Sequence, residues 1–238
     1  MAFYSEIVEA YDAIFPFNEK QLQFVETACG QLASKVVLDM GCGTGALSIA
    51  MARRSAKVRA FDYDADMLGK AEEKRPAALD IVFRQGDMRL VDAYFMPTTF
   101  DVALCFGNTL VHLQTLEEVE QTIEAVSGRL KQDGRFLLQI VNYDRVIADD
   151  VKSLPTLNSE PYTFIRNYIH RSDGKVDFET ILNKGKQSIK NSVPLLMIRQ
   201  EELDNILRKY FTKVEYFGGF DRSQWSPSSF HLVVEATK

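Results

Sequence analysis

Residues 3–16 carry apolar side chains at intervals of three and four, and this spacing predicts an amphipathic helix. Pro16 ends the pattern, because proline is poorly tolerated inside a helix. A second helix is predicted to follow, since Asn18 and Gln21 resemble the two ends of a capping box. The apolar positions are Tyr4, Ile7, Val8, Tyr11 and Phe15 in the first helix, and Leu22, Val25 and Leu32 in the second.

From residue 35 onwards, short strand-like runs alternate with helical runs. The apolar, β-branched runs lie at 35–40, 58–62, 81–87, 100–107 and 133–142. Helical patterns fall between them, with Asp64 as the expected N-cap of one helix and Thr115 with Glu118 as a capping box for another. Repeated strand–helix units with continuous apolar strands are typical of a parallel sheet covered by helices on both sides. We therefore predict an α/β fold with a doubly wound, mostly parallel sheet.

The pattern changes after Asn142. Residues 161–198 alternate with a period of two and carry turn signals at Asp173-Gly174 and near Gly185, which predicts antiparallel hairpins. The rest of the chain is predicted to form one helix and two closing strands, at 200–210, 213–220 and 230–237. Because the hairpins are too short for an independent domain, we expect them to form a small antiparallel β insertion after strand five.

Composition narrows the class of protein. The 238 residues are 46% hydrophobic, which suits one sizeable core, and a formal net charge of −5 disfavours a nucleic-acid substrate. The cysteines, Cys29, Cys42 and Cys105, are far apart and odd in number, so neither a disulfide framework nor a zinc site is expected. No basic and apolar leader opens the sequence, and no uncharged run approaches the ~18 residues of a membrane span. These features predict a soluble cytoplasmic protein that binds no metal, membrane or nucleic acid.

The stretch "VLDMGCGTGALSIA" is a strand that runs through a glycine-rich turn into a helix. Gly41, Gly43 and Ala46 satisfy the loose dinucleotide fingerprint G-x-G-x-x-[G/A], whereas Gly41, Gly43 and Gly45 satisfy a tighter G-x-G-x-G pattern. In an open α/β sheet, ligands bind at the carboxyl ends of the strands, where this turn lies. The turn therefore predicts a nucleotide-cofactor site without identifying the cofactor.

Asp39 separates the two possibilities. It stands two residues before the first glycine, where a pyrophosphate would meet a carboxylate at unfavourable energy. S-adenosylmethionine (SAM) has no phosphate and carries an ammonium and a sulfonium, so a nearby carboxylate favours it. The sequence therefore favours SAM over a dinucleotide.

The segment "VLDMGCGTG" resembles motif I of the class I SAM-dependent methyltransferases. Asp62, at the end of strand two, matches the family's acid for the ribose hydroxyls. In "QGDM", Asp87 matches the acid that meets the adenine amino group, and Met88 lies against the ring. "DGRFLLQI" resembles the strand that follows, although Gln132-Asp133 replaces the usual Pro-Gly.

The resemblance implies a Rossmann-like, seven-stranded sheet in a single methyltransferase domain, residues 1–238. Its expected parts are N-terminal helices at 1–34, a SAM-binding core at 35–142, the antiparallel insertion at 161–193, and a C-terminal helix with closing strands at 199–238. The cofactor contacts expected on this basis are Asp39, Gly41, Gly43, Gly45, Asp62, Tyr63, Met67, Asp87, Met88 and Cys105.

The segment "CFGNTLVHL" after strand four bears on the methyl acceptor. It lacks the [D/N/S]-P-P-[Y/F] tetrad of the enzymes that methylate DNA adenine or glutamine. "FGN", "HL" and the later "NYD" instead look like the small-molecule group that includes glycine and sugar-amine N-methyltransferases. The resemblance thus implies transfer to N or O of a small molecule. The candidate acceptor contacts are Tyr4, Tyr11, Asn108, His112, Asn142 and Tyr143.

Methyl transfer from a sulfonium needs mainly alignment and exclusion of water, and a general base only where the nucleophile arrives protonated. His112 and Tyr11 are the candidates for a catalytic role. Within the insertion, Arg166 and Lys186 are expected at the surface, where they could contact an anionic acceptor group.

Two other classes of protein stay open. An NAD(P)-dependent oxidoreductase matches the loose glycine fingerprint, but no Tyr-x-x-x-Lys spacing occurs in the chain. A non-catalytic SAM-binding regulatory protein would carry the same motifs as an enzyme, and only turnover of SAM would separate the two.

Overall fold

The structure is a computed structural model that describes residues 7–238. Its helices are α1 (Val8–Ile14), α2 (Glu19–Cys29), α3 (Ala46–Arg53), α4 (Ala65–Lys74), α5 (Val91–Tyr94), α6 (Leu116–Arg129), α7 (Tyr143–Ala148) and α8 (Gln200–Leu207). Its strands are β1 (Val36–Met40), β2 (Lys57–Asp62), β3 (Ile81–Gln85), β4 (Phe100–Cys105), β5 (Leu130–Val141), β6 (Ser153–Ser159), β7 (Tyr162–His170), β8 (Lys175–Lys184), β9 (Gln187–Leu196), β10 (Lys213–Phe217) and β11 (His231–Thr237).

Seven strands form the main sheet in the order β10-β11-β5-β4-β1-β2-β3. The five strands from β3 to β5 are parallel, and β11 and β10 are antiparallel to their neighbours. The predicted fold class is thereby confirmed. Strand order reverses at β1, which lies between β2 and β4, so the carboxyl end of β1 is the switch point where such sheets bind ligands.

The insertion is a separate four-stranded antiparallel sheet, in the order β6-β7-β8-β9. It begins at Ser153, eight residues before the predicted start at 161, and the short helix α7 precedes it. The sequence did not reveal β6, because "SLPTLNS" contains a proline and is a largely exposed edge strand. Helix α1 packs on this sheet, since Ile7, Ile14 and Phe164 belong to one buried cluster.

The helix caps follow the sequence closely. Asn18 accepts the Lys20 N–H, and Asp64 accepts the Asp66 and Met67 N–H groups. Thr115 accepts the Glu118 N–H, as a capping box requires. The caps of these three helices thus agree with the sequence in position.

Two details of the predicted helices are wrong. The Glu118 carboxylate accepts the Gln114 N–H at 2.7 Å, so it does not close a reciprocal box with Thr115. Leu32 is buried but lies beyond α2, which ends at Cys29 before Gly30 with φ +73°. None of the helices within residues 7–238 combines the length and apolar character that a membrane crossing needs.

Candidate active site

The glycine turn after β1 packs closely against its surroundings. Gly41 has φ +71° and Gly45 has φ +75°, a region that L side chains rarely adopt. A Cβ on Gly41 would lie 2.4 Å from Thr109 Cγ2, and one on Gly45 would lie 2.6 Å from Phe83 Cζ. Both positions therefore need glycine for conformation and for space.

Asp62 joins the turn to the end of β2. One carboxylate oxygen accepts the Gly43 N–H at 2.8 Å, and the other accepts the Asp64 N–H at 3.0 Å. Burial raises the pKa of Asp62, although these N–H groups oppose the shift. Asp62 thus has a structural role in the turn besides any contact with a ligand.

A cavity of about 310 Å³ opens beside this turn. Seven of the expected cofactor contacts line it, namely Gly41, Gly43, Asp62, Tyr63, Met67, Asp87 and Met88. Cys105 is fully buried and lies off the cavity wall because its side chain belongs to the core, so its contact with the cofactor stays a prediction. Gly45 also lies behind the wall, where it allows close contact with Phe83. Val193 and Pro194 of β9 complete the cavity from the inserted sheet.

Asp87 is paired with a cation within the protein. Its carboxylate accepts the Arg89 backbone N–H at 2.9 Å and the guanidinium Nη2 at 2.6 Å. Arg89 also reaches Glu118 at 3.2 Å. The Arg89 hydrogen bonds hold the pKa of Asp87 below its usual value, so this carboxylate is charged at neutral pH.

A second cavity, of about 550 Å³, adjoins the first. The two share five lining residues, Tyr11, Gly41, Phe106, Gly107 and His112. The inserted sheet supplies one wall of the larger cavity through Leu154, Leu157, Phe164, Arg166, Tyr168, Phe178 and Leu195. Helix α1 and the residues on either side of it supply another wall through Ile7, Tyr11, Ile14, Phe15, Pro16 and Phe17.

His112 and Tyr11 stand where the two cavities meet. Burial lowers the pKa of His112 to about 4, so its imidazole is neutral at pH 7. Burial also raises the pKa of Tyr11, with the nearby Asp62 and Asp12 carboxylates adding to the shift, so the phenol stays protonated. The junction therefore carries two neutral polar groups.

Asp39 lies on the wall of the larger cavity, whereas the sequence placed it among the cofactor contacts. It is 4% exposed and accepts the Ser48 hydroxyl at 2.5 Å. Burial raises its pKa to about 6, even though the Ser48 hydrogen bond opposes the shift. Through Ser48 it joins the end of β1 to α3, on the two sides of the glycine turn.

The remaining acceptor candidates fall into three groups. Asn108 lines the larger cavity, with φ +64° and Oδ1 accepting the Val141 N–H at 2.9 Å. Asn142 and Tyr143 are both fully buried and line neither cavity, so their contact with the acceptor stays a prediction. The Asn142 amide NH₂ donates hydrogen bonds to the carbonyl oxygens of Pro227 and Ser229. The Tyr143 hydroxyl accepts a hydrogen bond from Asn108 Nδ2. Tyr4 lies outside the described residues.

Two polar residues that the sequence interpretation missed as site residues line the larger cavity, namely Gln139 and His231, and so does Arg166, which the sequence offered as a contact for an anionic acceptor group. Gln139 is a buried polar residue inside the apolar run of β5, and that exception was visible in the sequence. Arg166 is half-buried and faces the cavity, so its predicted surface position is wrong, whereas Lys186 is exposed as predicted.

Comparison with known proteins bears on this geometry. Residues 37–134 match the family of methyltransferase domains. A putative methyltransferase of Geobacillus is 30% identical over 159 residues, which cover 65% of this chain and 60% of that protein. The glycine/sarcosine N-methyltransferase of Aphanothece halophytica is 29% identical over 63% of this chain and 57% of its own length. The chain thus matches less than two thirds of these relatives' lengths.

Solved structures extend the likeness to nearly the whole fold. A SAM-dependent methyltransferase from Clostridium acetobutylicum has a TM-score of 0.82 at 16% identity, covering 98% of both chains. A SAM-bound amino pentose methyltransferase from Micromonospora echinaspora, of calicheamicin biosynthesis, has a TM-score of 0.70 at 20% identity, covering 97% of this chain and 95% of its own. At these identities the likeness establishes the fold, including the inserted sheet.

Proposed function

This chain carries a methyltransferase domain of the class I SAM-dependent family, and from that premise we propose that it transfers the methyl group of SAM to N or O of a small molecule. The observation that carries the proposal is the pair of cavities meeting at Tyr11, Gly107 and His112. Two reactants bound in adjoining cavities react as if intramolecular, which accounts for much of the rate of such transfers. We take residues 1–238 as a single catalytic unit.

The lining of the smaller cavity fits SAM in charge. Its acidic side chains are Asp62, Asp64, Asp87 and Glu118, and Arg89, its basic side chain, is already paired with two of them. A pyrophosphate would meet net negative charge there, whereas a phosphate-free cation is favoured. Apolar contact comes from Phe61, Met67, Met88 and Leu113. When bound, SAM supplies a methyl group on a sulfonium, an electrophile with a good leaving group.

We assign Asp62 to the ribose. Each of its oxygens accepts one backbone N–H and keeps a lone pair for a hydroxyl donor. We assign Asp87, Met88 and Tyr63 to the adenine end of the cavity. The Gly41–Gly45 turn, with Asp39 beneath it, then borders the end nearest the acceptor.

His112 and Tyr11 orient the acceptor in this proposal. A neutral imidazole offers a hydrogen-bond acceptor to an amine N–H or a hydroxyl, and it draws the nucleophile's hydrogen away from the reacting lone pair. With a pKa of about 4, His112 is too weak a base to hold a proton at pH 7, so we assign it alignment. The apolar walls of the larger cavity exclude water from the acceptor.

The two other classes make different predictions. An oxidoreductase needs room for phosphates, and the acidic lining of the smaller cavity disfavours it. A SAM-binding regulator would not need a second cavity beside the first. The cytoplasmic location expected from the sequence stays a prediction.

Binding and turnover test the proposal together. Saturating S-adenosylhomocysteine should raise the thermal midpoint, since a hundredfold excess over the dissociation constant adds about 2.7 kcal/mol of stability. NADH should leave the midpoint unchanged. A screen of small amines, phenols and alcohols should then release S-adenosylhomocysteine with at least one acceptor. Stabilisation by NADH in place of S-adenosylhomocysteine would overturn the assignment, and binding without turnover across the screen would favour the regulator.

A further inference from the structure

One end of the larger cavity is cationic. Arg166, on β7, shares a face of the strand with Phe164 and Tyr168, and all three line this cavity. Its Nη2 donates to the Pro155 carbonyl at 2.6 Å, which fixes the guanidinium. Its Nε is buried and has no hydrogen-bond partner within residues 7–238.

A second arginine stands behind the same wall. The Arg145 Cζ lies 5.0 Å from the centre of the Phe230 ring, and Phe230 lines the cavity. Arg145 Nε and Nη2 are also buried without a hydrogen-bond partner in the described chain. Among those same residues, neither Arg145 nor Arg166 has a carboxylate within ion-pair distance of 4.0 Å.

His231 adds a donor to the wall of the same cavity. Gly107 N–H donates to Gln139 Oε1 at 2.9 Å, so the amide NH₂ of Gln139 faces His231 Nδ1 at 3.1 Å. Nδ1 must then accept, and the proton of the neutral ring lies on Nε2. Burial lowers the pKa of His231, and the charges of Arg145 and Arg166 lower it further.

No protein acid balances this charge within the described lining. Asp39 is the acidic side chain of that cavity, and its carboxylate is already bound to Ser48. Buried charges without a partner are costly, and guanidinium groups match oxyanions in planar, two-point geometry. The rest of the wall is apolar, with Phe106, Phe178 and Phe230.

We propose that the methyl acceptor carries an oxyanion, a carboxylate or a phosphate, on an apolar or aromatic body, and that Arg166 binds this oxyanion with Arg145 and His231 beside it. The inference rests on the proposed function, because it names the substrate class of the same site. It makes Arg166 the residue that sets acceptor specificity, and it places the oxyanion on the inserted sheet's side of the cavity.

Matched probes test the charge requirement directly on the protein saturated with S-adenosylhomocysteine. Calorimetry would compare benzoate with benzamide, and phenyl phosphate with benzyl alcohol. One charge-assisted pair predicts that an anion binds at least about tenfold more tightly than its neutral partner. Arg166→Met should remove that preference, and Arg166→Lys should keep part of it. Binding of only benzoate or only phenyl phosphate would identify which of the two oxyanions the site takes.

Arg171→Met is the matched control, because Arg171 lies in the β7–β8 turn of the same sheet, exposed and off both cavities. It should bind both anions as the parent does. Neutral probes binding as tightly as the anions in the wild type would overturn the inference without any variant, as would the absence of anion binding at millimolar concentration. The affinity for S-adenosylhomocysteine, measured on the same samples, separates the two proposals: its loss would refute the proposed function, and normal affinity without an anion preference would refute only the inference.

Discussion

Substitution of Asp62 tests how the glycine turn is held. The carboxylate accepts one N–H on each oxygen, from Gly43 at 2.8 Å and from Asp64 at 3.0 Å. Asp62→Ala leaves both donors without a partner, and each unmet donor in a partly buried site costs roughly 1–3 kcal/mol. Because water can reach the open cavity, we expect each donor to cost an amount near the lower end of that range. The two donors together should then lower the free energy of unfolding by about 2–3 kcal/mol.

Asparagine is not a conservative replacement at this position. Its amide has one acceptor oxygen, so its NH₂ group must face either the Gly43 N–H or the Asp64 N–H, donor against donor. Burial raises the pKa of Asp62, so loss of the charge recovers part of the desolvation energy. We expect Asp62→Asn to lose about 1–2 kcal/mol of stability and to bind S-adenosylhomocysteine at least about tenfold more weakly.

Denaturant unfolding and calorimetric titration on the same preparations separate stability from binding. Asp66→Asn is the matched control, because this substitution removes the same charge and Asp66 lies exposed in the first turn of α4. The control should change neither quantity by more than a few tenths of a kcal/mol. If Asp62→Asn unfolds and binds as the parent does, the two backbone hydrogen bonds do not hold the turn, and the ribose assignment also fails.

Three further predictions follow from the same geometry. Gly41→Ala and Gly45→Ala should each abolish binding of S-adenosylhomocysteine or unfold the protein. Gly69→Ala, in open space on α4, should instead stabilise the protein by about 0.5–1 kcal/mol, and thermal unfolding of the three variants would show the contrast. Asp39 has a folded-state pKa of about 6 against an ordinary value of 3.8, so its charge destabilises the fold above pH 6, and this penalty is relieved as the pH falls from 6 to 3.8. Asp39→Asn should therefore gain about 2–3 kcal/mol of stability at pH 7 and only about 0.5 kcal/mol at pH 4, and an equal gain at both pH values would refute the shift. His112 has a folded-state pKa of about 4 against an ordinary value of 6.5, so the unfolded chain takes up a proton first and stability falls as the pH drops from 6.5 to 4. His112→Gln should flatten this dependence of stability on pH in denaturant titrations, and an unchanged slope would contradict the burial of the imidazole.

Local patterns carried most of the fold. Strand β1 and helix α4 follow from an apolar run and from the Asp64 cap, both of which depend on nearby residues alone. Asp62 and Asp87 could be placed because parallel strands bring their carboxyl ends to one edge of the sheet. Strand β6 was not predicted, because a largely exposed edge strand has few apolar positions to mark it in the sequence.

The walls of the larger cavity could not be predicted with the same success. Asn142 and Tyr143 follow the end of β5, but a helix begins there and turns both side chains into the core. For Arg166, two rules conflict: charged residues are usually exposed, yet the period of two puts position 166 on the face of Phe164 and Tyr168. The period was the better guide, because the buried face of the inserted sheet lines a cavity.

Strand β9 contributes to both cavities with consecutive residues, Val193 and Pro194 to the smaller one and Leu195 to the larger. A ligand that displaces this strand in one cavity therefore also changes the wall of the other cavity. Such coupling is reciprocal: the factor by which the bound cofactor changes the affinity for the acceptor equals the factor by which the bound acceptor changes the affinity for the cofactor. Product release is then also linked, because departure of the methylated acceptor changes the affinity for S-adenosylhomocysteine by that same factor.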